Sequence, residues 1–293
     1  MTGVVTADSD SWNLLQAKAQ EERIALVFEA FRSGGIEPIL IKGWAAARNY
    51  PPHHTRRPGD IDLAVAPENF AAAAATLKDS KINRFLIDLH SGLRQLDSLE
   101  WSDLFENSIL VDLKGSKIRI PRPEDHLRLL CVHWLLDGGR FKEKLWDIYF
   151  AVDNRPKDFD WDRCLKAGGE NRRRWIVCSI GLAHRYYNLN IDDLPFSDEL
   201  REIPSWIISC IEREWRREPL EPILTSLHDK GLLLRQIIRR IPPNPIRATI
   251  EAEGDLYGAR RGLYQVAVLG RRFGPFIGQT MNVVKRKLGR SKN

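Results

Sequence analysis

Apolar residues return at helical spacing between residues 11 and 33. Leu14, Ala17, Ile24, Val27, Phe28 and Phe31 fall near one face, which predicts an amphipathic helix closed by Ser33-Gly34-Gly35. The next apolar run, Pro38 to Ile41, is short and unbroken, as in a buried strand. It runs into Lys42-Gly43 and a small-residue helix from Trp44 to Arg48. Residues 50–59 carry three prolines and a glycine without apolar periodicity, so they read as a loop. Asp60 to Val65 alternates as a strand, and Pro67 then opens a helix reaching about Leu77, with Glu68 in its first turn. Arg84 to His90 reads as a further strand. Ser108 to Ile120 reads as a hairpin turning at Lys114-Gly115-Ser116.

The texture changes after Pro121. Pro123-Glu124-Asp125 is a helix start, and the apolar-rich His126 to Leu136 follows it. Helices are expected near 140–153, 160–168, 172–188, 202–215 and 230–240, before a break at Pro242-Pro243-Asn244-Pro245. There is no internal repeat. The expected class is α+β: an N-terminal α/β core over 1–121, a helical domain over 122–260, and a basic segment over 261–293.

Composition narrows the picture only modestly. Apolar residues at 43% of 293 allow a real core, and 29% charged residues with a mean hydropathy of -0.35 suit a water-soluble chain. A net charge of +6 and a pI near 9.2 point to an anionic partner without choosing one. The four cysteines form no CxxC pair, so reduced thiols and a cytoplasmic location are the default expectation. The first ten residues lack the features of a signal peptide, and no apolar run has the length a membrane span needs.

The candidate chemistry sits on the strands. Residues i and i+2 of a strand share a side, so Asp60 and Asp62 are expected to project together with Ile61 turned to the core. Paired carboxylates repel unless a cation lies between them, and Mg²⁺ favours oxygen ligands. A DxD pair by itself is more often a solvent-facing acidic strand edge. Asp88 adds to it: on a neighbouring strand it would face the pair, as third ligand to two Mg²⁺ ions or as general base. His90 follows on the same face as a supporting group. The blander reading of both is a polar strand end.

Lys42-Gly43, where a strand turns into a helix, suits phosphate: free amides and a mobile cation, though no Walker A loop. Arg56 and Arg57, just ahead of Asp60, are candidates to hold a triphosphate or departing pyrophosphate, against the alternative of a solvated basic loop.

Taken in order, Lys42-Gly43 with its small-residue helix, Tyr50-Pro51, Arg57 and Asp60-Ile61-Asp62-Leu63 resemble the nucleotidyltransferases of the DNA polymerase β superfamily. A bacterial branch of that superfamily is more similar still, through Ile87-Asp88-Leu89-His90, the helix Pro123 to His133 and Leu145-Trp146-Asp147-Ile148. The specific motifs cover roughly residues 10–155. The resemblance implies a small mixed sheet with flanking helices and transfer of a nucleoside monophosphate from an NTP, ATP by analogy, with release of pyrophosphate. It implies that Asp60 and Asp62 are the metal pair and Asp88 the third carboxylate. Classical members have Gly-Ser after the first strand; here Lys42-Gly43 stands there, so Lys42 would replace the serine's phosphate contact.

Other residues carry plainer expectations. His126 and His133, seven apart on one helix face, are expected to pack or hydrogen-bond rather than bind metal. Glu124 and Asp125 would favour the helix N-terminus electrostatically. Asp147 is expected to be structural, buttressing the site or capping a helix. His53 and His54 are expected to be exposed, and the tryptophans to pack in the core. The expected function is therefore Mg²⁺-dependent transfer of AMP from ATP to an acceptor of unknown identity: a small molecule, a peptide or a protein. An RNA-end transferase or RNA-binding protein is the weaker alternative, and a silent nucleotide-binding protein the third. A solvated tail is favoured over nucleic-acid or membrane contact for the basic C-terminal residues.

Overall fold

The computed structural model describes residues 7–52, 54–94, 96–218 and 240–271, with residues 231 and 238. The helix expected at 230–240, His53, and most of the basic C-terminal segment lie largely or wholly outside the described residues. Contacts divide the chain into two compact units, Met1–His133 with Glu143–Leu200 and Trp134–Lys142 with Arg201–Asn293.

The first unit is built on helix α1 (Ala7–Ser33) and a small mixed sheet. Ile24, Val27, Phe28 and Phe31 of α1 are all buried, as their spacing requires. The side chain of Leu14 lies outside the described residues. The helix ends in a Schellman motif: the Ile36 amide donates to the Phe31 carbonyl and the Gly35 amide to that of Arg32. Gly35 takes the left-handed conformation this closure needs, at φ 73°. Ile36 then packs in the same apolar cluster as Phe31.

Strands β1 (Ile39–Leu40), β2 (Ile61–Val65) and β3 (Ile87–Ser91) form the sheet in that order. β1 runs antiparallel to β2, and β2 parallel to β3. Helix α2 (Trp44–Ala47) follows β1. A 3₁₀ turn at Pro67 and helix α3 (Phe70–Thr76) make the crossover from β2 to β3. Alternation splits the sheet's two faces. Ile61, Leu63 and Val65 enter the core with α1 and α3, and Ile87 and Leu89 pack against it. Asp62, Asp88 and His90 therefore lie on the opposite face. The strand at β3 is shorter than the sequence suggests; residues 82–85 are a turn, and Leu86 is exposed.

Helix α4 (Trp101–Glu106) precedes a hairpin of β4 (Ile109–Leu113) and β5 (Ser116–Ile120). Its two-residue turn has φ 51° at Lys114 and 86° at Gly115, the positive pair that a type I′ turn requires. Leu113, Ile118 and Ile120 join the α1 core. Helix α5 (Pro123–Leu136) follows. Helices α6 (Leu145–Asp153), α7 (Trp161–Lys166) and α8 (Gly169–Tyr187) complete the unit, with α8 packed on α6 and α7.

The second unit contains α9 (Ser205–Arg216), α10 (Pro245–Glu251) and a helical stretch over 261–271. Asn244 caps α10: its Oδ1 accepts from the amides of Ile246 and Arg247, and Pro245 occupies a first-turn position. Its Nδ2 donates to the Gly138 carbonyl. A Cβ at Gly138 would stand 2.6 Å from the Asn244 side chain, so the residue must be glycine. Trp175 in the first unit and Trp134 in the second are fully buried, whereas Trp12 is exposed and the other six tryptophans are half-buried, so only two pack in the core as expected. All four cysteines are free and buried, and among the described residues no helix is long and apolar enough to cross a membrane.

Candidate active site

The register of β2 and β3 sets Asp62 beside Asp88 and Ala64 beside His90. Asp62, Asp88 and His90 each bring one ligand atom within 4.8 Å of the others. His90 Nε2 lies 3.2 Å from Asp88 Oδ2 and 3.8 Å from Asp62 Oδ1. Asp62 is 4% exposed, while the Asp88 side chain is 53% exposed. The cluster thus has a buried floor and an open lip. Asp62 Oδ1 and His90 Nε2 are buried atoms without a hydrogen-bond partner. Such atoms are costly, and an inward-facing donor set of two carboxylates and an imidazole fits a divalent cation.

Asp60 is exposed, stands just before β2, and is not among the three clustered groups. Of the two carboxylates expected to act as one pair, Asp62 is buried and Asp60 is exposed. The Gly59 carbonyl ahead of Asp60 accepts from Gln20 of α1 at 3.0 Å, which anchors that end of the loop.

Lys42 differs from the mobile cation expected from the sequence. It is buried, its ammonium contacts Asp62 Oδ1, and it donates to His133 Nε2 at 2.9 Å. That contact is an ion pair by proximity, without hydrogen-bond alignment at the Asp62 oxygen. Burial pushes the Asp62 carboxyl up, but His90, Lys42 and His133 outweigh it and hold it below the usual carboxylate range. Two turns earlier on α5, His126 Nε2 donates to the Ile41 carbonyl at 3.1 Å. The two histidines thus fasten consecutive residues at the end of β1, in line with their expected hydrogen-bonding role. Gly43 takes φ 63° at the turn into α2, and the Ala45 amide in the first turn donates to the Lys42 carbonyl at 3.2 Å.

Arg56 is also spoken for. Its Nε and Nη2 reach the Asp147 carboxylate at 2.7 and 3.0 Å, and the Tyr50 hydroxyl donates to Asp147 Oδ1 at 2.8 Å. Burial opposes the Arg56 charge, but Asp147 raises its pKa overall; burial and Asp147 together raise that of Tyr50. Asp147 on α6 thus pins the proline-rich loop at two points, the buttress its sequence suggested. Arg57 is exposed, with no ion pair among the described residues. His54, expected to be exposed, is instead half-buried: its ring lies 4.6 Å from Trp146 and 5.1 Å from Phe150. Trp146 itself stacks on Tyr187 at 3.9 Å. A histidine in a loop of prolines has no periodicity to betray such a cluster.

A family model of uncharacterised nucleotidyltransferases matches residues 8–188, more than half of the chain. The chain belongs to this family. The match spans the mixed sheet, the carboxylate–histidine cluster and α5 to α8. No curated protein and no solved structure matches the chain. This nucleotidyltransferase family domain is mixed α+β, as the resemblance implies, and it supports a transferase activity and a nucleotide substrate. The Asp62, Asp88 and His90 cluster on β2 and β3 could hold a metal ion.

Proposed function

We propose that the chain transfers a nucleoside monophosphate, AMP from ATP, to a hydroxyl or phosphate oxygen of an acceptor, with release of pyrophosphate. The observation that supports the reading is the cluster of Asp62, Asp88 and His90, whose ligand atoms lie within 4.8 Å of one another inside a nucleotidyltransferase domain. A divalent cation held there, magnesium on the sequence expectation, would supply charge neutralisation for the triphosphate. The acceptor oxygen attacks the α-phosphorus, the bond from that phosphorus to the bridging oxygen breaks, and pyrophosphate leaves. Asp88, on the open lip, takes the proton of an acceptor hydroxyl. Asp60, at the mouth of β2, is available to a second cation arriving with the nucleotide. Arg57 meets the leaving phosphates, and Arg56 keeps the loop in place through Asp147. Lys42 and the amides after Gly43 bind phosphate once the nucleotide competes for the lysine. Positioning and charge neutralisation suffice for this chemistry. The helices after residue 122 are the proposed seat of acceptor choice.

The test incubates purified protein with each NTP, a divalent metal and a metabolite extract, and follows pyrophosphate. Release with one NTP, lost in Asp62→Ala, is the expected result. Failure of every NTP both to react and to bind overturns the proposal.

A further inference from the structure

We propose that the acceptor is an extended peptide, which adds to the open edge of β3 and presents a serine, threonine or tyrosine hydroxyl to Asp88. This rests on the transfer reading above, with Asp88 as the base, and adds the class of acceptor.

The strand order β1-β2-β3 gives the sheet two edges. On one side the β4–β5 hairpin lies beside β1. On the other side β3 is the last strand. The Ile61 amide donates to the Leu86 carbonyl, and the Gly92 amide to the Val65 carbonyl. Alternate residues of β3, Asp88 and His90, therefore turn their backbone groups toward β2, and Ile87, Leu89 and Ser91 turn theirs away from it. Among the described residues, no strand, loop or side chain pairs with the amides or carbonyls of these three. Such an edge is a template for another strand, and folded proteins blunt it with lysine, proline or a bulge. Ile-Asp-Leu-His-Ser has no lysine and no proline, and its register with β2 runs through all five residues without a bulge. Leu86, just ahead of it, is 77% exposed.

The open edge and the candidate base share this strand. A strand added beside β3 sets one residue opposite Asp88, with its side chain on the same face. In an antiparallel pair their Cβ atoms stand about 4.5–5.5 Å apart, so a hydroxyl on that residue meets the carboxylate. Asp88 is half-exposed and Asp62 lies buried beneath, so the hydroxyl arrives from the solvent side. Its oxygen attacks the α-phosphorus and its proton passes to Asp88. The bond from phosphorus to the bridging oxygen breaks, pyrophosphate leaves, and the peptide carries the nucleotide through a phosphodiester. Main-chain hydrogen bonds hold a peptide added in this way, and alternate side chains choose it. Exposed Arg84 and Arg94 flank the strand in sequence. The pair that Arg94 makes with Glu100, at 3.4 Å, is open to solvent and weak. Acidic residues toward the ends of the peptide complement both arginines.

The test gives the full chain each NTP labelled at the α-phosphate, a divalent metal and a library of decapeptides with acidic ends and one central serine, threonine or tyrosine. A metabolite extract and total RNA run in parallel. Peptides heavier by one nucleoside monophosphate are the expected products. Single N-methylation is then walked along the best-labelled peptide. Losses of at least tenfold at every second amide are expected, with the amides between them tolerated, because only alternate amides of an added strand face β3. Ser91→Pro removes one outward donor and spares the Gly92–Val65 bond. It should cut peptide labelling at least tenfold while the nucleotide still binds. Labelled RNA or small molecules without labelled peptide overturn the proposal and leave the transfer reading standing. A methylation profile without a two-residue period overturns it on wild-type protein alone. Peptide labelling unchanged by Ser91→Pro does so as well, as does a nucleotide that binds and reacts with nothing. If no NTP binds or reacts, the transfer reading itself fails and takes this inference with it.

Discussion

Two groups of buried charges lie in the first unit, and they are built in opposite ways. The group around α5 is closed. Arg128 Nε donates to Asp97 at 2.9 Å and its Nη2 to Asp125 at 2.7 Å. Arg163 reaches both oxygens of Asp125 at 2.8 Å and also Asp103. The remaining arm of Arg128 donates to the Arg163 carbonyl. Asp125 and Arg128 are 1% and 4% exposed, and every charge meets an opposite one with hydrogen bonds aligned. The group on β2 and β3 is open: two of its buried atoms have no hydrogen-bond partner, and its third member faces solvent. Asp62 Oδ1 meets the Lys42 ammonium, and His90 Nε2 lies 3.2 Å from Asp88 Oδ2. The closed network holds α5, α7 and the chain around Asp97 together. The open one leaves the Asp88 carboxylate to solvent.

The contrast is sharpened most by removing one carboxylate from each group. Asp125→Ala leaves Arg128 and Arg163 without their shared partner, and breaking a buried pair in this way costs about 3–5 kcal/mol. Asp88→Asn removes a like charge beside Asp62 at a half-exposed position, so denaturant unfolding should show no loss and a gain of up to about 1 kcal/mol. A titration with a divalent metal ion should reverse the ranking: Asp88→Asn loses the ion, and folded Asp125→Ala keeps it. Equal stability losses from both variants would erase the distinction.

A smaller effect tests whether the floor beneath the open group is rigid. His126 is buried, and burial pushes its pKa down to about 4 against the weaker opposite pull of Asp147 and the Ile41 carbonyl; Arg56 and Arg48 add to the lowering. The unfolded chain takes up this proton at its ordinary 6.5. Stability present above pH 6.5 is therefore lost as the pH falls toward 4, by on the order of 3 kcal/mol. His126→Gln keeps a donor for Ile41 and should flatten that part of the unfolding profile. A slope identical to wild type would mean that His126 is free to ionise in place.

The sequence made the sheet legible because Asp60 to Val65 and Ile87 to His90 alternate strictly, and the register then brings Asp62 to Asp88. The helix α4 was not legible: six residues are too few for a periodicity to show. At α10 the proline cluster reads as a break, although Asn244 and Pro245 are a cap and a first-turn residue of the helix that follows. The site's chemistry was legible by residue type but not by partner. Lys42 and Arg56 look alike as basic residues near carboxylates. Only tertiary contacts, 91 residues away in sequence for both His133 and Asp147, decide that each is already engaged. Local spacing cannot encode such pairings.

Lys42 supplies the last test, because its ammonium already sits on Asp62 of the open group. With Lys42 in place, Asp62 and Asp88 carry a formal charge of −2 + 1 = −1; Lys42→Met leaves −2. Unit charges about 4 Å apart interact by about 4 kcal/mol at an effective dielectric constant near 20. The lysine stem can swing aside when an ion enters, so only part of that repulsion is felt, and a divalent metal ion alone should bind Lys42→Met about tenfold more tightly, about 1.4 kcal/mol. Pyrophosphate release should move the other way and fall, since the same side chain is the proposed phosphate ligand. Opposite signs for metal affinity and turnover would identify Lys42 as a resident counterion that the nucleotide draws away. A loss of both would instead make it a strut that shapes Asp62. The open group would then depend on an internal contact as much as the closed one does.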